Sequence, residues 1–295
     1  MTLYTSVTQE TIDAVVGGYK KGHPGSRVTV FRAPTGQLNA RIAADQRSGG
    51  MRADVIWATD PLSMQSYTRQ HLLAPWPLPQ LTSVPEQYRT PEFWGTRLLY
   101  LVIVAHKDLM PQPTSWADLT SPAYQGKVAL PDPAFAGSAF AALAYFSQAP
   151  GMGMDFYRAL RANGAKQVAS VPDVVTEVAQ GRYQLGITLD SGARTAVKKG
   201  SPIVIVWPKP GAIALYSPIA LTAQSPHATA AKEFMRYVLS TQGQQHIADT
   251  GWQPIISGLA GPAQPAGATS VSPDWAALFG HQQELLAKYR STFVQ

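Results

Sequence analysis

LYTSVTQETIDAVVGGYKKG, residues 3–22, decides how the rest of the chain is read. Leu3 and Tyr4 open as a short strand. Hydroxyl side chains follow at Thr5, Ser6 and Thr8. Ile12, Val15, Val16 and Tyr19 then recur at the i, i+3, i+4, i+7 spacing of one buried helical face. Thr8, with Gln9 and Glu10 behind it, is a good helix start, because a threonine oxygen can accept one of the orphan N–H bonds of the first turn. The junction admits a second use. In open α/β sheets ligands settle outside the carboxyl ends of strands, where helix N-termini present free N–H groups and a positive dipole end. At this junction alone, capping and a ligand cradle both remain open.

The pattern repeats. In SRVTVFRAPTG, Val28, Val30 and Phe31 read as a strand, and Thr35-Gly36 opens a helix that carries Leu38 and Ile42 and ends at Gly49-Gly50. Residues 54–57 form a short buried strand. Thr59 or Asp60 then caps a helix with Pro61 at its first position, a favoured start. This β-α-β-α-β-α order over the first 70 residues calls for a parallel sheet. A proline-rich stretch, 75–91, reads as an irregular surface segment, and RLLYLVIVAHKDL as a long apolar strand. A second α/β series occupies 103–215, with a strand ending at Leu130, a helix from about Ser138, and a strand ending at Asp190. AIALYSPIAL is a second long strand, and helices at 228–239 and 242–249 fit as the completion of the first series. The expected organisation is two α/β lobes, 1–102 with 216–295 and 103–215, joined by two crossing strands around a hinged cleft. WAALFGHQQELLAKYRSTF, after a Pro-, Ala-, Gly- and Ser-rich tail, is expected to close on the first lobe.

Composition narrows the function. A chain of 295 residues can build two cored domains. Hydrophobic residues at 45% against charged residues at 14% suit a folded soluble protein. No apolar run reaches the roughly 18 residues of a membrane span. Met1 leads straight into a polar junction without a signal peptide, so the chain is expected to be either cytoplasmic or a mature form with Met1 added. There is no cysteine, which removes disulfides, thiolate metal sites and cysteine nucleophiles and suits an exported protein. The net charge of +6 is scattered, with short pairs such as Lys20-Lys21 and Lys198-Lys199 and no basic stripe interleaved with aromatics. That speaks against nucleic acid and mildly for a small anionic ligand. Ser138 lacks a G-x-S-x-G elbow, the six histidines lack metal-ligand spacing, and there is no P-loop. We therefore expect no enzyme, no metal and no cofactor.

A set of motifs then carries a resemblance: LYTSVTQE, APTGQLNARIAAD, ADVIWATD, PTSWADLTSPAYQGKVALPDPAFAGSA, YQLGITLDSGA, KKGSPIVIVWPKPGAIALYSPIAL and HATAAKEFMRYVLSTQGQQHIADTGWQP. In this order, over residues 3 to about 255, the chain resembles bacterial extracellular solute-binding proteins of ABC importers, the group with ferric-iron, thiamine, polyamine, hexose-phosphate and aminoethylphosphonate binders. The resemblance implies a type II periplasmic binding protein fold, α/β and two-lobed, with two crossing strands and a central ligand cleft. It also implies a mature periplasmic protein whose signal peptide has been removed, working as a monomer with a small-molecule ligand and an inner-membrane ABC permease. Binding would occur by closure, without catalysis. In ferric members a histidine, an acidic residue and paired tyrosines hold the iron. The matching positions here are Thr8, Thr59 and Asp190-Ser191-Gly192, which argues against direct iron binding.

The candidate ligand residues are hydroxyls and small residues at strand–helix junctions: Thr5, Ser6 and Thr8; Thr35 and Gly36; Gly137, Ser138 and Ala139. Helix termini from both lobes would hold a phosphate or phosphonate without a cation; the alternative for each is simple capping. Asp190 would pair with a ligand ammonium group, or cap the helix that follows it. Trp57 and Tyr216 are candidate cleft walls or plain packing. An anionic head with an ammonium tail makes 2-aminoethylphosphonate the smallest natural fit. The alternatives are a sugar phosphate, thiamine, a polyamine, or ferric iron through a chelator. A sensor domain of a transcription regulator would need a helix-turn-helix segment, which the sequence does not show ahead of Leu3.

Overall fold

The computed structural model describes residues 1–77 and 83–294. β1 (Thr2–Thr5), α1 (Gln9–Gly22), β2 (Thr29–Arg32), α2 (Thr35–Arg47), β3 (Val55–Trp57) and α3 (Pro61–Arg69) alternate as expected. β4 (Phe93–His106), β5 (Val128–Pro131), α4 (Gly137–Gln148), α5 (Gly153–Ala162), β6 (Lys166–Val168), α6 (Val171–Ala179), β7 (Leu185–Leu189), α7 (Asp190–Lys198) and β8 (Ile203–Val206) follow. The chain continues through β9 (Ala212–Leu221), α8 (Ala228–Leu239), α9 (Thr241–Asp249), β10 (Gln253–Pro254), β11 (Ser270–Val271), α10 (Trp275–Leu278) and α11 (Gln282–Tyr289). Two units divide these elements: Met1–Leu98 with Tyr216–Ala263, and Leu99–Leu215 with Gln264–Gln295.

In the first unit β1 lies between β2 and β3, all parallel, with Leu3 opposite Val30 and Val55. Their carboxyl ends therefore share one edge of the sheet. β9 runs antiparallel to β3, with Trp57 opposite Ile219. The spacing read from the sequence is the packing observed: Ile12, Val15, Val16 and Tyr19 are buried. Each such side chain contributes about 1.5–3 kcal/mol of transfer free energy. α1 packs on α9 through Gly18, where a Cβ atom would fall 2.3 Å from both Tyr237 Oη and His246 Nε2.

In the second unit the apolar half of β4 pairs antiparallel with β7 and β8, and β5 runs parallel to β7 and β6. α6 covers this sheet through Val174, Val175 and Val178, packed with Val104, Ala129 and Ile203. β6 was not anticipated: its polar exposed face gives little periodicity, and its pairing to β5 defines it.

The C-terminal segment corrects the expected lobe assignment. It belongs to the second unit, and the first boundary falls at 98/99. β11 runs parallel to β9 beside Ala212 and Ile213, and the Asp274 N–H donates to Gln148 Oε1 (2.9 Å). The ring of Tyr289 meets Tyr157 edge-on at 5.1 Å, and its hydroxyl donates to Gln167 Oε1 (2.7 Å). The apolar stripe of the tail finds an aromatic cluster on α5, a partner that no local pattern names. The stretch 75–91 also departs from a plain surface loop where it is described: Trp76 and Val84 are buried and Glu86–Tyr88 forms a 3₁₀ turn, while 78–82 lie outside the described residues. Among the described residues no helix is long and apolar enough to cross a membrane.

Candidate ligand site

The carboxyl edge of the first unit gathers the expected hydroxyls, but they serve different ends. Thr5 is buried. Its hydroxyl donates to the Trp57 carbonyl (2.8 Å) and accepts the Val7 N–H (3.0 Å), so it ties β1 to β3 and shapes the turn. Ser6 and Thr59 share a hydroxyl–hydroxyl bond of 2.9 Å, and the Thr59 hydroxyl also reaches the Ser6 carbonyl (3.1 Å). Thr8 is the N-cap residue of α1, yet its side chain caps no backbone N–H. Its hydroxyl instead pairs with that of Thr11 (2.9 Å), which pairs with Thr250 (3.0 Å) and receives the Trp252 indole N–H (3.0 Å). The capping expected of Thr8 is therefore absent, and among the described residues no side chain caps the first turn of α1. Thr35 and Gly36 open α2 on the same edge, with Thr35 buried and Gly36 half-buried. α3 is capped conventionally, the Ser63 N–H donating to Asp60 Oδ1 (2.8 Å).

The structure places both expected aromatic walls in the packing. Trp57 is 0% exposed and donates its indole N–H to Thr96 Oγ1 (2.8 Å), so it is a core residue. Tyr216 is buried, tilted against Tyr88 at 5.3 Å. Burial, with Tyr88 and Asp60 nearby, holds its phenol well above the ordinary value. Gly95 makes room for this pair: a Cβ there would lie 3.0 Å from Tyr88 Cβ and 3.2 Å from Tyr216 Cδ2.

In the second unit Gly137, Ser138 and Ala139 open α4 as expected, all three buried. Asp190 already has a charged partner. It forms the first residue of α7, and its side chain, 7% exposed, is ion-paired with Arg194 one turn on. Burial raises its pKa, and Arg194 and the N–H groups of Ser191 and Tyr100 work in the opposite direction. The carboxylate expected to await a ligand ammonium already has a cation. The i, i+4 spacing of Asp190 and Arg194 is the signal that sequence reading passed over.

It also passed over Arg97, read only as the start of an apolar strand. Arg97 is 1% exposed, and its guanidinium lies 4.1 Å from the centre of the Trp252 ring. Among the described residues no group of three or more His, Asp or Glu could hold a metal ion.

The two α/β units, each a sheet flanked by helices, share the fold of the two-lobed periplasmic binding proteins. The description "Bacterial extracellular solute-binding protein" matches residues 2–253, and the chain belongs to that family. A protein of Haemophilus influenzae is 24% identical over 234 residues, 74% of this chain and 67% of its own length. The fold superposes with a TM-score of 0.89 on AfuA from Actinobacillus pleuropneumoniae, solved with exogenous fructose 6-phosphate bound, at 17% identity over 100% of this chain and 98% of that one. Iron-bound HitA from Pseudomonas aeruginosa gives 0.86 at 20% identity, covering 99% and 98%. Membership makes the chain a substrate-binding component of an ABC transporter, with a small molecule and a permease as partners. The family is one of transport-associated extracellular binding proteins, not of enzymes.

Proposed function

We propose that the solute is a small anion bearing a phosphate or phosphonate group, with 2-aminoethylphosphonate among the candidates. The observation that carries this reading is the uncapped first turn of α1 beside the Ser6–Thr59 hydroxyl pair. Backbone N–H groups at a helix N-terminus, with hydroxyls next to them, suit an oxyanion and need no cation. The amine of 2-aminoethylphosphonate has lost its expected partner, since Asp190 is held by Arg194. A hexose phosphate is therefore an equal candidate, and the bound fructose 6-phosphate of AfuA is a precedent on the same fold. Thiamine or a polyamine, being cationic, would make no use of this helix start. The chain acts as a periplasmic monomer that captures its solute without chemistry.

The test is a thermal-shift panel on ligand-free protein: 2-aminoethylphosphonate, glucose 6-phosphate, fructose 6-phosphate, inorganic phosphate, thiamine, spermidine and ferric citrate. A ligand at 100 times its Kd stabilises by about 2.7 kcal/mol, a shift of roughly 5–10 °C for a domain of this size. A response to one or more organophosphates or phosphonates supports the reading. A response confined to thiamine, spermidine or ferric citrate overturns it.

A further inference from the structure

Arg97 stands at the same edge of the first unit as the uncapped helix. Thr96, its neighbour on β4, receives the Trp57 indole N–H and donates to the Ser217 carbonyl (2.6 Å), while the Ser217 hydroxyl donates to the Ala58 carbonyl. Residues 96 and 97 are thus level with the point where β3 ends. Alternation along the strand sends Arg97 to the face opposite Thr96, the face shared with Gly95 and its Tyr88–Tyr216 pair. There the guanidinium lies over Trp252, and the Trp252 indole N–H reaches Thr11 in the first turn of α1. One indole ring separates the cation from the positive end of that helix.

Among the described residues Nε and Nη1 of Arg97 have no hydrogen-bond partner. Burial alone pulls its pKa down to about 9, with no carboxylate acting in the other direction. A buried arginine is expected to meet a carboxylate or another oxyanion in a forked pair. Here a cation without a counter-charge among the described residues lies on the face of Trp252, with a helix dipole of the same sign beyond that ring. The face of Trp252 offsets only part of the cost.

We propose that Arg97 is the charged group on which the first unit takes its anionic solute, in a forked contact with the guanidinium. This rests on the reading of the solute as a phosphate- or phosphonate-bearing anion and adds the residue that selects it. The anion replaces the missing carboxylate. Arg97 is therefore retained at a cost to the ligand-free protein, as is common where a site is built for a partner it does not yet hold.

The experiment compares wild type with Arg97→Met and Arg97→Lys by calorimetric titration with inorganic phosphate, ethylphosphonate and glucose 6-phosphate, alongside ligand-free melting. The tightest of these probes should lose about 30-fold or more in affinity with Arg97→Met, in line with the loss of a charge-assisted fork. With Arg97→Lys the loss should be smaller, because the charge stays and the fork goes. The ligand-free melting temperature of Arg97→Met should equal or exceed that of wild type. If wild type binds these anions and both variants bind them equally well, the role of Arg97 is overturned while the anionic reading stands. If Arg97→Met melts lower and keeps its affinity, Arg97 is a packing residue and the proposal fails. If wild type binds none of the three anions, both readings fall together.

Discussion

Replacing Asp190 with alanine should damage the ligand-free protein more than its ligand affinity. The Asp190 side chain is 7% exposed and that of Arg194 is 23% exposed. Losing one member of a buried pair costs about 3–5 kcal/mol when the other is trapped. Arg194 is partly exposed and can turn to water, so the pair itself accounts for about 1–2 kcal/mol. The N–H groups of Ser191 and Tyr100, which favour the charged carboxylate, lose their acceptor, at about 1 kcal/mol each. The total is about 3–4 kcal/mol, or roughly 6–16 °C in melting temperature. Asp190→Asn keeps an acceptor for both N–H groups and should cost about half as much. The assay is differential scanning fluorimetry without ligand, paired with titration of whichever solute the wild type binds. An Asp190→Ala protein that melts like wild type but has lost its ligand would refute this reasoning and return Asp190 to the ligand.

Three further outcomes are expected. Asp54, buried at the amino end of β3, is disfavoured as a charge by burial, but hydrogen bonds from Ser225, the Thr2 N–H (2.6 Å) and His227 hold its carboxyl below the ordinary value. A depressed folded pKa stabilises above the unfolded pKa of about 4 and is lost as pH falls through the folded one. The stability gap between wild type and Asp54→Asn in urea melts should therefore shrink from pH 6 to pH 3; a constant gap would show that the charge is not involved. Gly243→Ala places a Cβ atom 2.1 Å from the Tyr237 carbonyl oxygen; the clash should exceed the ~1 kcal/mol gain in helix propensity, so that the melting temperature falls by several degrees, and a rise would contradict the packing described. Trp57→Phe removes the bond to Thr96 and should cost about 1–3 kcal/mol with unchanged ligand affinity, whereas a weakened ligand at unchanged stability would restore Trp57 as a wall.

Local patterns carried the fold a long way. The alternation of residues 3–70, the Asp60-Pro61 helix start and the two long apolar strands all lie where their periodicity puts them, because strand and helix faces are decided by neighbours in sequence. The site was legible only in part. Hydroxyls at junctions could be listed, but whether Thr5 braces two strands, or Thr8 turns to Thr11 instead of a backbone N–H, depends on partners 3 to 52 residues away. Asp190 was read without its ion-pair partner, because a carboxylate at a strand end looks free until the helix after it brings Arg194 round. Arg97 was invisible for the opposite reason: one arginine ahead of an apolar run reads as a flank, and only the Trp252 contact, 155 positions on, shows that it is buried. The tail assignment failed because aromatic clustering around Tyr157 and Tyr289 is a long-range fact.

The central claim, that an oxyanion group and not an amine secures the solute, is tested most directly by dissecting 2-aminoethylphosphonate into its halves. Calorimetric titration of the ligand-free protein with 2-aminoethylphosphonate, ethylphosphonate and ethylamine, at constant ionic strength, separates the two ends. Affinity for ethylphosphonate within about tenfold of the parent compound, with none for ethylamine, is the result expected, since tenfold is about 1.4 kcal/mol and leaves most of the binding energy on the anion. Binding of ethylamine with indifference to ethylphosphonate would contradict the account.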